Sequence, residues 1–407
     1  MNIGVFTDAY TPQINGVVTS TRMLESELTR LGHTVYVFTA SDPHARQPQP
    51  RVFRMPSMPV VFAPSFRLTL IYPPRLLVRM KRFKLDIIHT QTEFSLGLYG
   101  KLTAEFLNLP LVHTYHTMYA NYTHYVANGH LFKPGAAKKF SRVFCNRADC
   151  VIAPVEKTRL SLMEYGVKRP IAVIPTGIDF EPFRRGRYSD AELNRARLEL
   201  GIGLKDPVMV FVGRVAKEKS IDVILKAMPA VLESLPQAKF LIVGEGGFRD
   251  ELERLADELG VKSACVFAGN KPWDTIGKYY QLGDVFVTAS TSESQGLTYI
   301  EAMAAGVAVV AKRDMSIEGV IVDGVTGYLF ESDDDAAASI IKALADAEGR
   351  RDITQNALES ISPLSSRRFG KNLEALYEDV IEKYKERGSR FPKLKFPKIK
   401  GPKHLKA

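Results

Sequence analysis

The sequence predicts an α/β protein of two successive doubly wound domains, and three observations carry that prediction. The chain has 407 residues, enough for two or three cores of ordinary size. Apolar runs of strand length alternate with stretches of helical period in two separate cycles. A turn-rich segment, Ile174-Pro175-Thr176-Gly177-Ile178-Asp179 continuing to Pro182, separates the cycles.

The first cycle opens with a strand from Asn2 to Thr7 and a loop from Asp8 to Gly16. A helical pattern from about Val17 to Leu31 follows, then a strand from Thr34 to Thr39 after the Gly32-His33 break. This order begins a doubly wound sheet. Further strands are expected at Ile87-His89, Leu111-Thr114, Cys150-Ala153 and Ile171-Ile174. In the second cycle, Val208 to Val212 reads as a buried strand, Ile221 to Leu235 as a helix, Lys239 to Val243 as a strand and Phe248 to Leu259 as a helix. Short strands are expected near Val266-Ala268, Val285-Thr288 and Val307-Val310, and a last helical pattern runs from Ser366 to about Glu386.

Hydrophobic residues make up 45% of the chain and charged residues 25%, ordinary for a globular protein. No apolar run reaches the roughly 20 residues that cross a bilayer. The start, Met1 to Phe6, has no basic leader, and Asp8 ends its apolar run, so no signal peptide is expected there. Cys145, Cys150 and Cys265 lack CxxC spacing, so they read as reduced structural residues rather than a zinc site or a disulfide framework. The net charge of +10 points to an anionic partner: nucleic acid, an acidic membrane or a phosphorylated substrate.

The loop after the first strand contains no Gly-x-Gly-x-x-Gly, which argues against a dinucleotide oxidoreductase. Asn15-Gly16 instead precedes a helix, where backbone N–H groups are free to meet a phosphate; a plain turn and helix start is the bland alternative. In the second cycle, Gly213-Arg214 and then Lys219 follow a buried strand. Two cations at a strand's carboxyl end suit a diphosphate, although Lys217 nearby equally fits a solvated basic loop. Gly244 in Val243-Gly244-Glu245-Gly246, and Asn270 in Phe267-Ala268-Gly269-Asn270-Lys271, also follow strands and suit a nucleotide lying close to backbone. The sharpest signal is Glu293-Ser294-Gln295-Gly296-Leu297-Thr298-Tyr299-Ile300-Glu301-Ala302-Met303-Ala304-Ala305-Gly306. There two carboxylates flank a glycine turn that opens a helix, with free N–H groups at Gly296 and Leu297. Carboxylates accept hydrogen bonds from diols, so this pattern fits a sugar and a ribose. An acidic capping pattern on a surface helix is the alternative, and the apolar run from Ala302 argues against it.

Together these residues resemble the retaining GT-B glycosyltransferases of the Glu-x7-Glu family, glycosyltransferase family 4. The resemblance covers Met1 to about Lys385. It implies two Rossmann-like domains facing across a cleft. On that implication residues 1–176 form an N-terminal acceptor-side domain and 177–365 a nucleotide-sugar-binding domain. Residues 366–386 form a helix packing back on the first domain, and 387–407 a basic tail. The resemblance implies that Arg214 and Lys219 hold the donor diphosphate, that Gly16 faces it, that Glu301 binds the ribose and Glu293 the transferred sugar. Phe6-Thr7-Asp8-Ala9-Tyr10-Thr11-Pro12, Ile88-His89-Thr90-Gln91-Thr92-Glu93-Phe94 and His113-Thr114-Tyr115-His116-Thr117-Met118-Tyr119 narrow it to bacterial 1,2-diacylglycerol 3-alpha-glucosyltransferases. On that reading glucose passes from UDP-glucose to 1,2-diacylglycerol and His116 lies beside the reacting sugar. No cofactor and no metal are expected. The only Asp-x-Asp candidate, Asp333-Asp334-Asp335, precedes Ala336-Ala337-Ala338 and reads as a helix cap.

A lipid acceptor assigns the basic charge to the inner, anionic face of the cell membrane rather than to nucleic acid. Arg75-Leu76-Leu77-Val78-Arg79-Met80-Lys81-Arg82-Phe83-Lys84, as a helix, would present a basic amphipathic surface to anionic lipid, and Arg390 to Lys400 alternates cations with apolar residues, with a disordered solubilising tail as the alternative there. Each such cation contributes roughly 1 kcal/mol near an anionic leaflet. Phe62 to Phe66 is a further expected apolar contact. Two other readings remain: a GDP-mannose-dependent α-mannosyltransferase acting on phosphatidylinositol or another acceptor, and a non-catalytic membrane-binding protein on the same scaffold.

Overall fold

The computed structural model describes every residue except 14, 46–47, 61–62, 70–75, 77–79, 117–133, 292, 294, 316 and 388–407. The basic tail, most of the segment from 75 to 80, Phe62 and Thr117 to Tyr119 therefore lie outside the described residues.

Among the described residues two parallel sheets dominate. The first has seven strands: β1 (Asn2–Thr7), β2 (Thr34–Ala40), β3 (Val52–Met55), β6 (Ile87–Thr90), β7 (Leu111–Thr114), β8 (Cys150–Ala153) and β9 (Ile171–Val173). Their order is β3-β2-β1-β6-β7-β8-β9. A separate antiparallel pair, β4 (Ser57–Val60) and β5 (Ala63–Thr69), intervenes in sequence. The second sheet has β10 (Val208–Val212), β11 (Lys239–Val243), β12 (Cys265–Gly269), β13 (Val285–Thr288), β14 (Ala308–Lys312) and β15 (Tyr328–Phe330), ordered β12-β11-β10-β13-β14-β15. In each sheet the first strand lies inside, and the chain winds outward on one side and then the other. The order reverses between β1 and β6, and again between β10 and β13. In open α/β sheets, ligands bind at the carboxyl ends of strands at such reversals.

Burial explains why these runs are strands. All five residues of β10 and all four of β6, β7, β8 and β13 are buried, as expected for parallel strands covered on both faces. Along β10 the side chains alternate: Met209 and Phe211 join one core, and Val208, Val210 and Val212 the other. Helix α6 (Ile221–Ser234) packs on the first of these faces, and α8 (Ile276–Gln281) and α9 (Leu297–Ala304) on the second. In the N-terminal half, α2 (Ser95–Leu107) covers one face with Phe6, Phe38 and Ile88, and α1 (Gly16–Arg30) covers the other with Ile3, Val5 and Val37.

The last helix, α12 (Ser366–Arg387), also packs on that second face of the N-terminal sheet. Phe369, Leu373, Tyr377 and Val380 enter the cluster of Ile3, Val5, Leu24 and Leu28. His33 Nε2 lies 2.8 Å from Glu374 Oε1. The chain thus crosses between the sheets twice, and the crossings pair. Ile178 N–H donates to the Leu364 carbonyl at 2.9 Å, and Ser366 N–H donates to the Ile178 carbonyl at 2.9 Å. Gly177 is glycine for this reason: a Cβ there would lie 2.6 Å from Phe369 Cβ and 2.7 Å from Ser366 Cα.

The structure adds strands that the sequence reading did not expect, and it changes one expectation. Strand β3 and the β4–β5 pair escape a pattern search because they carry Arg54, Pro59 and Pro64, which do not read as strand interior. Strand β15 spans only three residues. The described end of the expected basic amphipathic helix, Lys81–Phe83, is a single 3-10 turn ended by Lys84 in left-handed conformation (φ 49°). Phe83 stacks on Tyr36 with ring centroids 4.6 Å apart and so faces the protein, while Lys81 and Arg82 are exposed. Among the described residues no helix is long and apolar enough to cross a membrane.

Leu373 is 1% exposed in the α12–sheet cluster. Leu373→Ala is expected to lower the unfolding free energy by about 3 kcal/mol through the cavity it leaves. Urea denaturation followed by circular dichroism measures this; an unchanged midpoint would contradict the packing of α12.

Candidate functional site

The loops at both sheet reversals are held by side chains that span them. In the N-terminal half, Asp8 follows β1 and accepts from Thr92 Oγ1 at 2.6 Å, from Leu96 N–H at 3.0 Å and from Ser95 Oγ. Its own N–H donates to Thr92 Oγ1 at 2.9 Å. These partners follow β6, so Asp8 closes the reversal. Burial raises its pKa, opposed by the hydrogen bonds from Ser95, Thr92 and Leu96. Further along, Asn15 caps α1: its side-chain oxygen accepts from Val18 N–H at 3.0 Å. Gly16 opens the helix and is exposed, and among the described residues nothing lies within 4 Å of where its Cβ would be.

His116 stands two residues past β7 and is part-buried. Its Nε2 lies 2.7 Å from Gln91 Oε1. Burial, with repulsion from His113, holds its pKa down to about 3, so the ring is neutral at ordinary pH. His113 itself is fully buried, with Nε2 3.1 Å from Glu93 Oε1.

In the C-terminal half, the loop after β10 carries Arg214 and then a 3-10 turn, Lys217–Lys219. Ser220, at φ 51°, ends the turn and starts α6. Arg214 pairs with Glu218, and Lys219 pairs with Glu293 from the loop after β13. Glu293 Oε1 also accepts from Ser290 Oγ at 3.1 Å. The Lys219–Glu293 pair bridges the reversal between β10 and β13, as Asp8 does in the other sheet.

Gly296 caps α9 at φ 65°, a left-handed conformation that favours glycine, and a Cβ there would strike the Tyr299 ring at 2.2 Å. Leu297 then opens the helix; the Tyr299 N–H donates back to the Gly296 carbonyl at 3.0 Å, and the N–H groups before it have no acceptor within the helix. Glu301 lies within α9 and is buried. Burial pushes its pKa up to about 7, and the Tyr280 hydroxyl, which donates to Oε2 at 2.6 Å, draws it back. Gly244 has a structural reason to be glycine: its Cβ would lie 1.8 Å from the Gly213 carbonyl oxygen, because the loops after β10 and β11 touch. Asn270 is exposed just past β12.

The structure thus joins Lys219 to Glu293 and places Arg214, Gly244, Asn270, Gly296, Leu297 and Glu301 at or beyond the carboxyl ends of one sheet. Among the described residues no hydrogen bond or ion pair joins His116 or Gly16 to that group. Of the Asp-x-Asp candidate read as a helix cap, Asp335 and Ser332 form a capping box and Asp333 lies 2.8 Å from Lys312 Nζ.

Sequence reasoning missed the residues that join the halves. Gln295 Oε1 accepts from Thr176 N–H at 2.8 Å, Gln295 Nε2 donates to the Thr176 carbonyl at 2.9 Å, and Thr176 Oγ1 donates to Ser20 Oγ on α1 at 2.9 Å. Lys157, on α4 (Glu156–Glu164), meets Asp314 at 2.8 Å. Gln295 sits inside the Glu293–Glu301 motif, so its place was visible; its partner was not.

Comparison with known proteins bears on the family and the fold. Residues 14–182 match the family described as Glycosyltransferase Family 4, and residues 194–360 match Glycosyl transferases group 1. The alpha-monoglucosyldiacylglycerol synthase of Streptococcus pneumoniae is 37% identical over 383 residues, covering 94% of this chain and 86% of the relative. This chain belongs to the family 4 glycosyltransferases. The Acholeplasma laidlawii enzyme of the same name is 34% identical, covering 94% of this glycosyltransferase and 98% of its relative. Among solved structures, Anabaena HepE in complex with UDP and glucose superposes with a TM-score of 0.76 at 18% identity, covering 93% of this chain and 100% of that one. The resemblance stated from the motifs, the GT-B fold and the enzyme class are those found.

Removing the Tyr280 hydroxyl leaves burial unopposed at Glu301. Tyr280→Phe is expected to raise the Glu301 pKa above its value near 7, read from carboxyl ¹³C shifts against pH. An unmoved titration would show that Tyr280 does not govern this carboxylate.

Proposed function

We propose that this glycosyltransferase moves glucose, with retention, from UDP-glucose to 1,2-diacylglycerol at the cytoplasmic face of an anionic membrane, without a metal. The observation that carries this reading is near-full-length identity of 37% and 34% to two alpha-monoglucosyldiacylglycerol synthases. The HepE complex with UDP and glucose supports a uridine nucleotide sugar on this fold.

The proposed roles rest on the family resemblance and are consistent with where these residues lie. The diphosphate lies at the β10–β13 reversal, where Arg214, Lys219 and the free N–H groups at Gly296 and Leu297 neutralise it, with Gly16 opposite. Gly244 and Asn270 border the nucleotide. Glu301 takes the ribose hydroxyls. Glu293 takes the transferred sugar, its ammonium partner Lys219 serving the phosphate. The C1–phosphate oxygen bond breaks as the acceptor oxygen bonds C1 on the same face, and the acceptor proton passes to the departing phosphate. Charge grows on that phosphate in the transition state, which is where fixed cations lower the barrier. Neutral His116 hydrogen-bonds the sugar and transfers no proton.

A lipid acceptor fits the surface of α2. Phe94, Leu98 and Leu102 are 40%, 45% and 49% exposed and four residues apart, so they form one row. The Lys81 ammonium lies 4.9 Å from the Phe106 ring centroid at the end of that row. Apolar side chains beside cations suit a headgroup boundary.

Labelled UDP-glucose, EDTA and liposomes of diacylglycerol with anionic phospholipid test the reading. Labelled glycolipid is expected, more from anionic than from neutral liposomes. Lys219→Ala is expected to cut turnover at least about a hundredfold with the fold intact. Dependence on a divalent metal, turnover only with GDP-mannose, or a Lys219→Ala enzyme of near-normal rate would each contradict it.

A further inference from the structure

A line of hydrogen-bonded side chains, buried beyond His116, runs from His116 to the C-terminal helix. His116 Nε2 lies 2.7 Å from Gln91 Oε1, and Gln91 Nε2 lies 3.1 Å from His89 Nε2. His89 Nδ1 lies 2.6 Å from the Tyr377 hydroxyl on α12, and Thr114 Oγ1 lies 2.7 Å from His89 Nε2. His89 and Tyr377 are fully buried and Gln91 is 1% exposed, so water does not substitute for a lost partner.

The amide of Gln91 makes the line directional. Its carbonyl oxygen only accepts, so His116 carries its proton on Nε2. Its NH₂ only donates, so His89 Nε2 is bare and the His89 proton sits on Nδ1, donating to Tyr377. Both rings are neutral, so each has one proton to place. We infer that Tyr377 is a positioning residue that fixes the tautomer of His116, leaving its Nδ1 as an acceptor for a hydroxyl of the transferred sugar. This rests on the placement of His116 beside that sugar.

Tyr377→Phe keeps the ring in its cluster and removes the acceptor. His89 Nδ1–H is then buried without a partner. Its proton moves to Nε2, where Thr114 Oγ1 accepts it. That N–H opposes the Gln91 NH₂, the amide turns over, and its NH₂ now faces His116 Nε2. His116 must accept there, so its proton moves to Nδ1 and the ring meets the sugar as a donor. One hydroxyl three side chains away inverts the polarity of His116.

The test uses the full chain with ¹⁵N-labelled histidine, His116 being assigned from the His116→Ala spectrum. The Nε2–H tautomer is expected in the wild type and the Nδ1–H tautomer in Tyr377→Phe. Turnover of UDP-glucose with diacylglycerol liposomes is expected to fall about tenfold in kcat, with KM for the donor unchanged. Gln91→Met cuts the line midway, so adding Tyr377→Phe to it is expected to cost no further kcat. The same His116 tautomer in both proteins overturns the inference, as does a Tyr377→Phe loss that persists undiminished in Gln91→Met. A tautomer that moves while kcat stays constant upholds the role of Tyr377 and instead removes His116 from the sugar.

Discussion

The ion pair between Lys219 and Glu293 holds together the two loops on which the candidate site depends. These loops leave the C-terminal sheet on either side of its reversal, from β10 and from β13, and the winding of the chain carries them apart. The pair closes that gap. Its side chains are 21% and 17% exposed, so the charges are partly withdrawn from water and less screened than a surface pair. Removing either one leaves the other uncompensated. The N-terminal sheet meets the same constraint with a different device. There Asp8 gathers donors from Thr92, Ser95 and Leu96 across the reversal between β1 and β6. Each half thus fixes its carboxyl-end loops before any ligand arrives.

The two fixed ends are also tied to each other. Gln295 lies between Glu293 and the start of α9, and it grips the backbone of Thr176 by both its N–H and its carbonyl. Thr176 in turn holds Ser20 on α1, the helix that Gly16 opens. A short line of hydrogen bonds therefore runs from the glutamate motif through the linker to the opposite helix. Two residues further on, Ile178 joins Ser366 and Leu364, which brings both crossings of the chain into one place. The same return carries α12 to the N-terminal sheet and places Tyr377 beneath His89.

Much of this was legible because parallel strands write themselves plainly. Val208–Val212, Lys239–Val243, Val285–Thr288, Leu111–Thr114 and Cys150–Ala153 are apolar runs bounded by turn residues, and each is a strand over that span. Gly296 and Glu301 were legible as a glycine turn opening a buried helix, because glycine and the alanine-rich run mark both features locally. What stayed hidden was long-range. Tyr280 and Glu301 are twenty-one residues apart, Thr176 and Gln295 over a hundred, and His89 and Tyr377 nearly three hundred. No local pattern announces such partners. Gly244 shows the converse case: a glycine read as room for a nucleotide has a second reason of its own, the carbonyl of Gly213. Phe83, read as one side of an amphipathic helix, belongs to an aromatic cluster with Tyr36 and Phe53.

The loops joined by Lys219 and Glu293 are the proposed seat of the donor diphosphate. Calorimetric titration of UDP into the wild type and into Glu293→Gln tests it most directly. Neutralising Glu293 frees the Lys219 ammonium for the phosphates, so the account predicts that Glu293→Gln binds UDP at least as tightly as the wild type, with a steeper loss of affinity as salt rises. UDP affinity that falls about tenfold or more in Glu293→Gln, with salt dependence unchanged, would contradict it.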